Sequence, residues 1–323
     1  MTEPSGVPSE MPSEMPSEMP SGELPSPDVV SSFSVRLTQA QSQVETALIG
    51  LLASPDGDQR RLYEAMRYSC LDGGKRFRAF LSIETGKLLG LSLDQILPVA
   101  AAIECVHCYS LIHDDLPCMD DDDFRRGKPT VHKAFDEATA VLAGDALLSL
   151  AFDHLANFEG YVPEVKLALI QGLSSAIGGQ GMLGGQMIDM SSQRAELDLA
   201  ALTHLHTLKT GALIEFSVDA ATIIAGIQGP MREDLLQYAR ALGLAFQIHD
   251  DVLDASGNRE TLGKTVGKDV AADKNTFVSL LGIEGAALSA KEYTQTAIQH
   301  LAGFDGCAVA LQQAAAFVVE REK

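Results

Sequence analysis

The sequence has little positive charge for its length. It contains 24 lysine and arginine residues against 44 aspartate and glutamate residues, and its formal net charge is −20 at pH 7. Nucleic-acid binding requires a basic surface, so this balance argues against that class. Long apolar runs are also missing. The strongest candidate, residues 219–227, is bounded by Asp219 and by Gly229-Pro230 and falls short of the roughly 20 residues of a membrane-spanning helix. We therefore expect no stable membrane insertion.

Cysteine is scarce as well. The five cysteines are an odd number, and we find no secretory signal, so we expect a reducing, cytoplasmic location. Cys105 and Cys108 form a Cys-x-x-Cys pair that encloses His107, which leaves a zinc or redox site open. No second cysteine pair stands at ligand spacing, and we therefore favour cysteines that pack on a helix.

The alternation of apolar and polar residues that marks strands is missing from every long stretch. Apolar residues instead recur at three- and four-residue steps, as at Leu37, Val44, Leu48 and Leu51. Residues 97–112 are apolar on nearly all sides, which predicts a buried central helix. Further helices are predicted over residues 130–155, 197–216, 231–253 and 276–281. The pattern indicates an all-α domain of ten or more helices.

A repetitive segment precedes this domain. Residues 8–21 repeat Pro-Ser-Glu-Met, and proline at every fourth position forbids a stable helix. The polar remainder cannot bury a core. We therefore predict a disordered tail over residues 1–30 and one all-α domain over residues 31–323. The acidic tail lacks arginine, unlike a mitochondrial transit peptide. We favour an expanded repeat without a chemical role over a tether for a partner.

One stretch, residues 107–128, brings many charges together. An apolar helical segment runs into six carboxylates and then into basic residues: Asp114, Asp115, Asp120, Asp121, Asp122 and Asp123, followed by Arg125, Arg126 and Lys128. Crowded carboxylates disfavour each other's ionisation, so a cation is expected among them. Mg²⁺ takes oxygen ligands and often shares them with substrate phosphates, which guanidinium groups also bind. The stretch predicts a metal-bridged diphosphate site.

A second acidic stretch repeats this chemistry. Both stretches contain Ile-His-Asp-Asp, and residues 246–254 continue to Asp254, which shares a helix face with Asp250. Lys264, Lys268 and Lys274 follow it. Either stretch alone could be a solvated loop, but the duplication favours one two-sided site.

Pro117 solves a geometric problem in the first stretch. Asp114 and Asp120 are six residues apart and would face different ways on a straight helix. Pro117 cannot donate a hydrogen bond to the carbonyl of His113, and its ring clashes there. We expect the helix to kink or end near Leu116, which would bring Asp120 back toward Asp114.

Two further features lie between the acidic stretches. Residues 178–185 contain five glycines, but no Lys-Ser/Thr ending follows, so we favour a close helix crossing or a turn over a phosphate loop. Gln186 and Asp189 could reach the site through water. Lys209 is unusual in an apolar helix, and a phosphate partner would explain it.

These motifs resemble those of the trans-isoprenyl diphosphate synthases, and within them the bacterial farnesyl diphosphate synthases. Residues 114–120, Asp-Asp-Leu-Pro-Cys-Met-Asp, match the first aspartate-rich motif with two inserted residues. Residues 250–254 match the second, and residues 73–78, Gly-Gly-Lys-Arg-Phe-Arg, match the glycine-lysine-arginine motif. The similarity extends from about residue 33 to the end of the sequence.

The resemblance implies an isoprenoid synthase fold, a single helical bundle around a central cavity, and a homodimer. It also implies that three Mg²⁺ ions bind in the site and that the reaction is a prenyl transfer. An allylic diphosphate ionises, isopentenyl diphosphate attacks the resulting cation, and a proton is lost. Released pyrophosphate is a plausible base for this proton. Dimethylallyl and geranyl diphosphate would be the allylic substrates, and farnesyl diphosphate the product.

The resemblance also assigns residues. Six aspartates would bind magnesium: Asp114, Asp115, Asp120, Asp121, Asp250 and Asp254. Three basic residues would hold the allylic diphosphate: Arg125, Lys209 and Lys264. Thr210 and Gln247 would line the path of the allylic cation. The backbone of Gly74 and four side chains would bind isopentenyl diphosphate: Lys75, Arg78, His107 and Arg126. The residues expected to be catalytic are Asp114, Asp120, Arg125, Lys209, Asp250 and Lys264.

Each assignment has a simpler alternative. A lysine or arginine taken alone would be a solvated surface charge, and His107 would be a hydrogen-bonded core histidine. For His113 and His249, which precede the aspartate pairs, we favour supporting or core roles. Relatives usually have glycine at the position of Asp273, before the lysine, so we favour Lys264 over Lys274 as a substrate contact and leave the role of Lys274 open.

Product length is expected to depend on cavity depth. Tyr109 lies five residues before Asp114, roughly 7.5 Å deeper along a helix, and Ser110 lies one turn below Asp114. In the family, a bulky aromatic residue at the position of Tyr109, together with the two-residue insertion, accompanies a cavity floor that stops the growing prenyl product at fifteen carbons. The nearest alternative is a geranylgeranyl or geranyl diphosphate synthase. A class I terpene cyclase would not need the second set of cations, and a non-catalytic binding subunit would be expected to have lost site residues.

Overall fold

The computed structural model describes residues 33–53, 57–71, 73–192, 196–256 and 275–321. The predicted tail, residues 1–30, lies outside these ranges, and so do Lys264 and Lys274. The described helices follow in chain order: α1 (Phe33–Leu51), α2 (Arg60–Cys70), α3 (Phe77–Leu88), α4 (Leu93–Asp114), α5 (Val131–Ala134), α6 (Glu137–Asn157), α7 (Pro163–Ile177), α8 (Met182–Ser192), α9 (Leu199–His206), α10 (Ala212–Ala225), α11 (Pro230–Ser256), α12 (Phe277–His300) and α13 (Val309–Glu320).

The fold is a helical bundle, and the predicted all-α class is confirmed. The strands of the described residues are one two-residue pair, β1 (Phe124–Arg125) and β2 (Lys128–Pro129), which are antiparallel. They form a small hairpin directly after the first acidic stretch. The hairpin turns Arg125 back toward the bundle and does not form a layer of its own.

Helix α4 is the central element of the bundle, as the sequence predicted. It begins at a capping box formed by Ser92 and Gln95, and its residues from Val99 to Val106 are buried. It packs against α1, α2, α3, α6 and α10. By length and composition alone, α4 and α6 are apolar enough to cross a membrane. The burial of α4 inside the bundle accounts for its apolar character.

The first acidic stretch has the predicted break. Helix α4 ends at Asp114, and the amide of Asp120 then donates to the carbonyl of Asp114 at 2.8 Å. The amide of Asp121, which has a φ of 49°, donates to the carbonyl of Leu116 at 3.1 Å. The chain therefore folds back on itself around Pro117, and the expected return of Asp120 toward Asp114 is confirmed.

Several predicted helix boundaries were wrong. The helix expected over residues 130–155 is divided in two, because Asp136 adopts an extended conformation and caps α6 by accepting from the amide of Thr139 at 2.7 Å. The helix expected over residues 197–216 is divided by a π-helical turn, Thr207–Gly211. The helix expected over residues 276–281 continues as α12, with a kink at Gly282, whose φ is 71°.

Candidate active site

The two acidic stretches line one cavity of about 890 Å³. Asp114 and Asp120 reach it from the end of α4, and Asp250 and Asp254 reach it from α11. Their shared location satisfies the geometric requirement of a two-sided diphosphate site. An arrangement on opposite sides of the bundle would have excluded it.

Most of the residues that the sequence singled out line this cavity. They include the acidic, basic, polar and floor positions: Gly74, Lys75, Arg78, His107, Tyr109, Ser110, Asp114, Asp120, Arg125, Arg126, Lys209, Thr210, Gln247, Asp250 and Asp254. Asp115 and Asp121 are not among the lining residues. Asp121 is exposed, and Lys264 lies outside the described residues.

Asp114 carries the electrostatic signature of a cation site. Burial raises the pKa of its carboxyl to about 6, Lys209 opposes this rise, and the neighbouring Asp120 adds to it. Ionisation of this carboxyl therefore has a cost that a bound cation would offset. Among the described side chains, no group of three or more acidic, histidine or cysteine residues converges closely enough to hold an ion alone. Such a donor set suits Mg²⁺, which often completes its coordination with water and substrate phosphates.

Asp115 has a different immediate partner from the expected metal ion. Its carboxylate is buried and accepts a hydrogen bond from Arg125 Nε at 2.8 Å and another from Nη2 at 2.6 Å. This fork fixes the guanidinium of Arg125 at the cavity wall. The contact indicates that Asp115 positions Arg125, which itself lines the cavity.

Lys209, in the π-helical turn between α9 and α10, is also held in place. Lys209 Nζ forms a direct ion pair with Asp189 Oδ2 at 2.5 Å. Gly185 of α8 lies against the backbone of Lys209, where a Cβ atom would overlap it. The glycine-rich segment is therefore a close crossing, as favoured from the sequence. It allows α8 to approach the π-helical turn that carries the lysine.

A chain of hydrogen bonds connects this turn to the second acidic stretch. Thr210 Oγ1 donates to Gln247 Oε1 at 3.0 Å, and Gln247 Nε2 donates to Asp251 Oδ1 at 3.0 Å. Asp251 Oδ2 accepts from the amide of Phe277 at 2.8 Å. Asp251 is therefore occupied in joining α11 to the start of α12, while Thr210 and Gln247 present their remaining surface to the cavity.

A cationic group lines another part of the cavity. Lys75, Arg78 and Arg126 lie there together with His107. Burial holds the pKa of His107 well below its usual range, and the nearby Arg78 and Arg126 lower it further. His107 is therefore a neutral hydrogen-bonding group among fixed positive charges, an arrangement suited to an anionic ligand.

Arg76 was not recognised as functional from the sequence, although it belongs to the glycine-lysine-arginine motif. It is buried, and its guanidinium donates to Glu104 at 3.2 Å and to Glu45 at 2.8 Å. Its φ is 50°. These contacts anchor the loop that presents Lys75. The motif was a sequence signal for Arg76, but its partners on α1 and α4 carried none.

His206 is a second cavity residue to which the sequence analysis assigned no role. It lies at the end of α9 and lines the cavity, and its two ring nitrogens have no hydrogen-bond partner among the described residues. Burial lowers its pKa to about 4, which Asp189 opposes and Lys209 reinforces. Near neutral pH, His206 therefore contributes an uncharged imidazole to the cavity wall.

Acidification is expected to destabilise the protein through His206. Its folded pKa of about 4 lies below its ordinary value of 6.5, so the unfolded chain takes up the proton first. Stability is therefore retained above about pH 6.5 and lost as the pH falls toward 4. Near pH 4.5, His206→Gln should avoid about 2 kcal/mol of this loss of stability. Urea unfolding near pH 4.5 and above about pH 6.5 would measure the difference. The exposed His204 provides the control: a His204→Gln variant with the same gain would disprove the assignment to His206.

The comparison with known proteins identifies the family. A sequence profile described as polyprenyl synthetase matches residues 59–307. The chain belongs to the polyprenyl synthetase family. The resemblance seen in the two aspartate-rich motifs is thereby confirmed.

Relatives of this polyprenyl synthetase cover most of its length. A farnesyl diphosphate synthase of Haemophilus influenzae is 45% identical over 271 residues, which are 83% of this chain and 92% of that protein. The apo structure of an FPP/GFPP synthase from Zymomonas mobilis has a TM-score of 0.81 and 43% identity, and the match covers 89% and 98% of the two chains.

A third relative bears on the metal. The structure of a geranyltransferase from Helicobacter pylori, complexed with magnesium and isoprenyl diphosphate, has a TM-score of 0.79 and 34% identity. The match covers 89% of this chain and 96% of that one. Magnesium is therefore supported for this family, in agreement with the oxygen-rich donor set of the cavity.

Proposed function

We propose that the protein is a magnesium-dependent prenyltransferase that makes farnesyl diphosphate. It would condense isopentenyl diphosphate first with dimethylallyl diphosphate and then with the geranyl diphosphate so formed. The observation that carries the proposal is the common cavity, where Asp114 and Asp120 lie with Asp250 and Asp254 and with a set of fixed cations. A site for two diphosphates needs both acidic residues, which bind metal ions, and basic residues, which bind phosphate directly. A simple binding module would not need both sets.

The allylic diphosphate would be held between the acidic stretches. Bound Mg²⁺, for which we propose three ions, would stabilise the negative charge that grows on the departing pyrophosphate. Arg125, which Asp115 holds, and Lys209, which Asp189 holds, would bind the same diphosphate. We propose that Lys264 joins them, and that Asp121 and Asp115 support the metal ligands.

Thr210 and Gln247 would border the allylic cation left after ionisation. Their side-chain oxygens are joined by a hydrogen bond, which limits their freedom to attack as nucleophiles. Apolar parts of the cavity wall, which include Tyr109 and Met119, would help to keep water away from the carbon that reacts. The cation is thus kept for the double bond of isopentenyl diphosphate.

Isopentenyl diphosphate would lie against the cationic group formed by Lys75, Arg78 and Arg126. Neutral His107 would donate a hydrogen bond to the same diphosphate. After the new bond forms, the released pyrophosphate would accept the proton. Arg76 would act indirectly by holding the loop of Lys75.

Gly74→Ala should weaken the binding of isopentenyl diphosphate. A Cβ atom at Gly74 would lie 2.8 Å from Arg126 Cζ and would displace this guanidinium. We expect the KM for isopentenyl diphosphate to rise about tenfold, as for loss of one charged hydrogen bond, with little change for the allylic substrate. Gly90→Ala is the matched control, because Gly90 has a similar φ, +77° against +88°, but nothing within 4 Å of the added atom. An equal rise in both variants would refute the specific role.

Product size decides between farnesyl diphosphate and the alternatives. Purified protein would be incubated with Mg²⁺, labelled isopentenyl diphosphate and each allylic primer, and the products sized by chromatography. A fifteen-carbon product supports the proposal, while a ten- or twenty-carbon product would favour a geranyl or geranylgeranyl synthase. Cyclised hydrocarbon would indicate a terpene cyclase, and no product would indicate a binding subunit.

We also propose a homodimer in a reducing compartment such as the cytoplasm. Large apolar side chains are exposed on two helices, Val141 and Leu142 of α6 and Leu183 and Met187 of α8. Such exposure favours burial against a second copy. All five cysteines are unpaired, which suits a reducing environment. Light scattering of the full chain would test the dimer.

A further inference from the structure

Arg321 lies against the second acidic stretch. Its Nη2 donates to Asp250 Oδ1 at 2.6 Å and to the carbonyl of Phe246 at 3.2 Å. The guanidinium carbon lies 3.9 Å from the centroid of the Phe246 ring, and Nε donates to the carbonyl of Val318 at 3.1 Å. Only 7% of this side chain is exposed. Arg321 is therefore a fixed part of the cavity wall rather than a solvated charge near the end of the chain.

The backbone of Arg321 is anchored as well. Its carbonyl lies 3.0 Å from His249 Nε2, on the same helix as Asp250. The preceding helix, α13, packs on α3 and α11, and its Phe317 lies 5.1 Å below the ammonium of Lys75. Two independent contacts therefore hold the arginine to α11, one through its main chain and one through its side chain.

The ion pair occupies a carboxylate that the proposed reaction requires. Asp250 faces the cavity, and one of its oxygens is already bonded to a guanidinium group. A divalent cation bound to Asp250 would lie close to the guanidinium of Arg321, and the two positive charges would repel each other. Because Arg321 is tethered, its local concentration at Asp250 is high and does not depend on dilution.

We propose that Arg321 is a tethered counter-cation of Asp250 that competes with a divalent ion for this carboxylate. This inference rests on the proposed metal role of Asp250. The arginine balances the charge of the carboxylate, so a divalent ion at Asp250 would have to weaken this ion pair. Apparent metal affinity is reduced by the fraction of molecules in which Asp250 is paired.

Direct metal binding tests the proposal without using catalysis. The full chain, free of substrate, would be titrated with Mn²⁺ and the free ion measured by electron paramagnetic resonance. We expect Arg321→Gln to bind Mn²⁺ about threefold to tenfold more tightly at the site that involves Asp250. Arg321→Met, which keeps apolar packing on Phe246, should do the same. Arg321→Lys should remain closer to the original protein, because its charge still competes.

Two controls separate the possible failures. Arg240→Gln removes an arginine that pairs with Glu215 outside the cavity, and it should leave Mn²⁺ binding unchanged. Asp250→Asn should weaken binding and should abolish the effect of Arg321→Gln in the double variant. Unchanged or weaker binding by Arg321→Gln, with a normal circular-dichroism spectrum, overturns the counter-cation. If Asp250→Asn also leaves binding unchanged, the metal assignment of Asp250 fails as well.

Discussion

Replacing Asp114 with alanine is expected to reduce turnover at least about a thousandfold while the helical fold persists. Asp114 lies at the end of α4, where burial and the neighbouring Asp120 make its charge costly and Lys209 offsets only part of that cost. The variant should therefore melt at the same temperature or higher. Turnover with geranyl and isopentenyl diphosphate, measured beside a thermal melt, would check both parts.

Asp123 provides the matched control for this experiment. It belongs to the same acidic run but is exposed, pairs with Lys133 at 2.8 Å, and is not among the residues that line the cavity. Asp123→Ala should retain activity within about twofold, because surface ion pairs contribute little. Near-normal activity of Asp114→Ala, or an equal loss in both variants, would contradict the metal assignment.

Replacing Tyr109 with alanine should lengthen the product beyond fifteen carbons. Tyr109 is almost fully buried, lines the cavity, and lies edge-on to His113 with ring centroids 5.8 Å apart. Its hydroxyl has no hydrogen-bond partner among the described residues, so the polar atom gives the site no evident structural benefit. Removing the ring would open a space into which a growing apolar chain could extend. Chromatography of the products would detect the shift.

A second buried tyrosine separates the loss of a floor from the loss of stability. Tyr161 donates to the carbonyl of Gln95 at 2.6 Å and is not among the residues that line the cavity. Both alanine variants should be destabilised by roughly 3–5 kcal/mol, as large-to-small core changes are. Only the variant at Tyr109 should change product length. An unchanged fifteen-carbon product from Tyr109→Ala would show that the floor lies elsewhere.

The break in the first acidic stretch shows how far local sequence can predict a site. Pro117 disfavours continuation of the helix through its own covalent structure, because it lacks an amide hydrogen and its ring clashes with the preceding turn. The return of Asp120 to the carbonyl of Asp114 was therefore predictable. The start of α6 at Glu137 also had a local sequence signal, because Asp136 is a preferred helix-capping residue. The apolar periodicity on both sides of Asp136 instead favours one continuous helix.

Local patterns were enough to predict the helical class, the central helix and the two acidic stretches, because periodicity, proline chemistry and charge spacing act within a few residues. The packing of the helices was needed to show that Asp115 holds Arg125, that Asp189 holds Lys209, and that Arg321 reaches Asp250 from 71 residues away. Such pairs depend on how helices pack, and any acidic residue of the chain could have been the partner. Their geometry is fixed by the burial of apolar faces elsewhere in the bundle, which no local pattern of charges records.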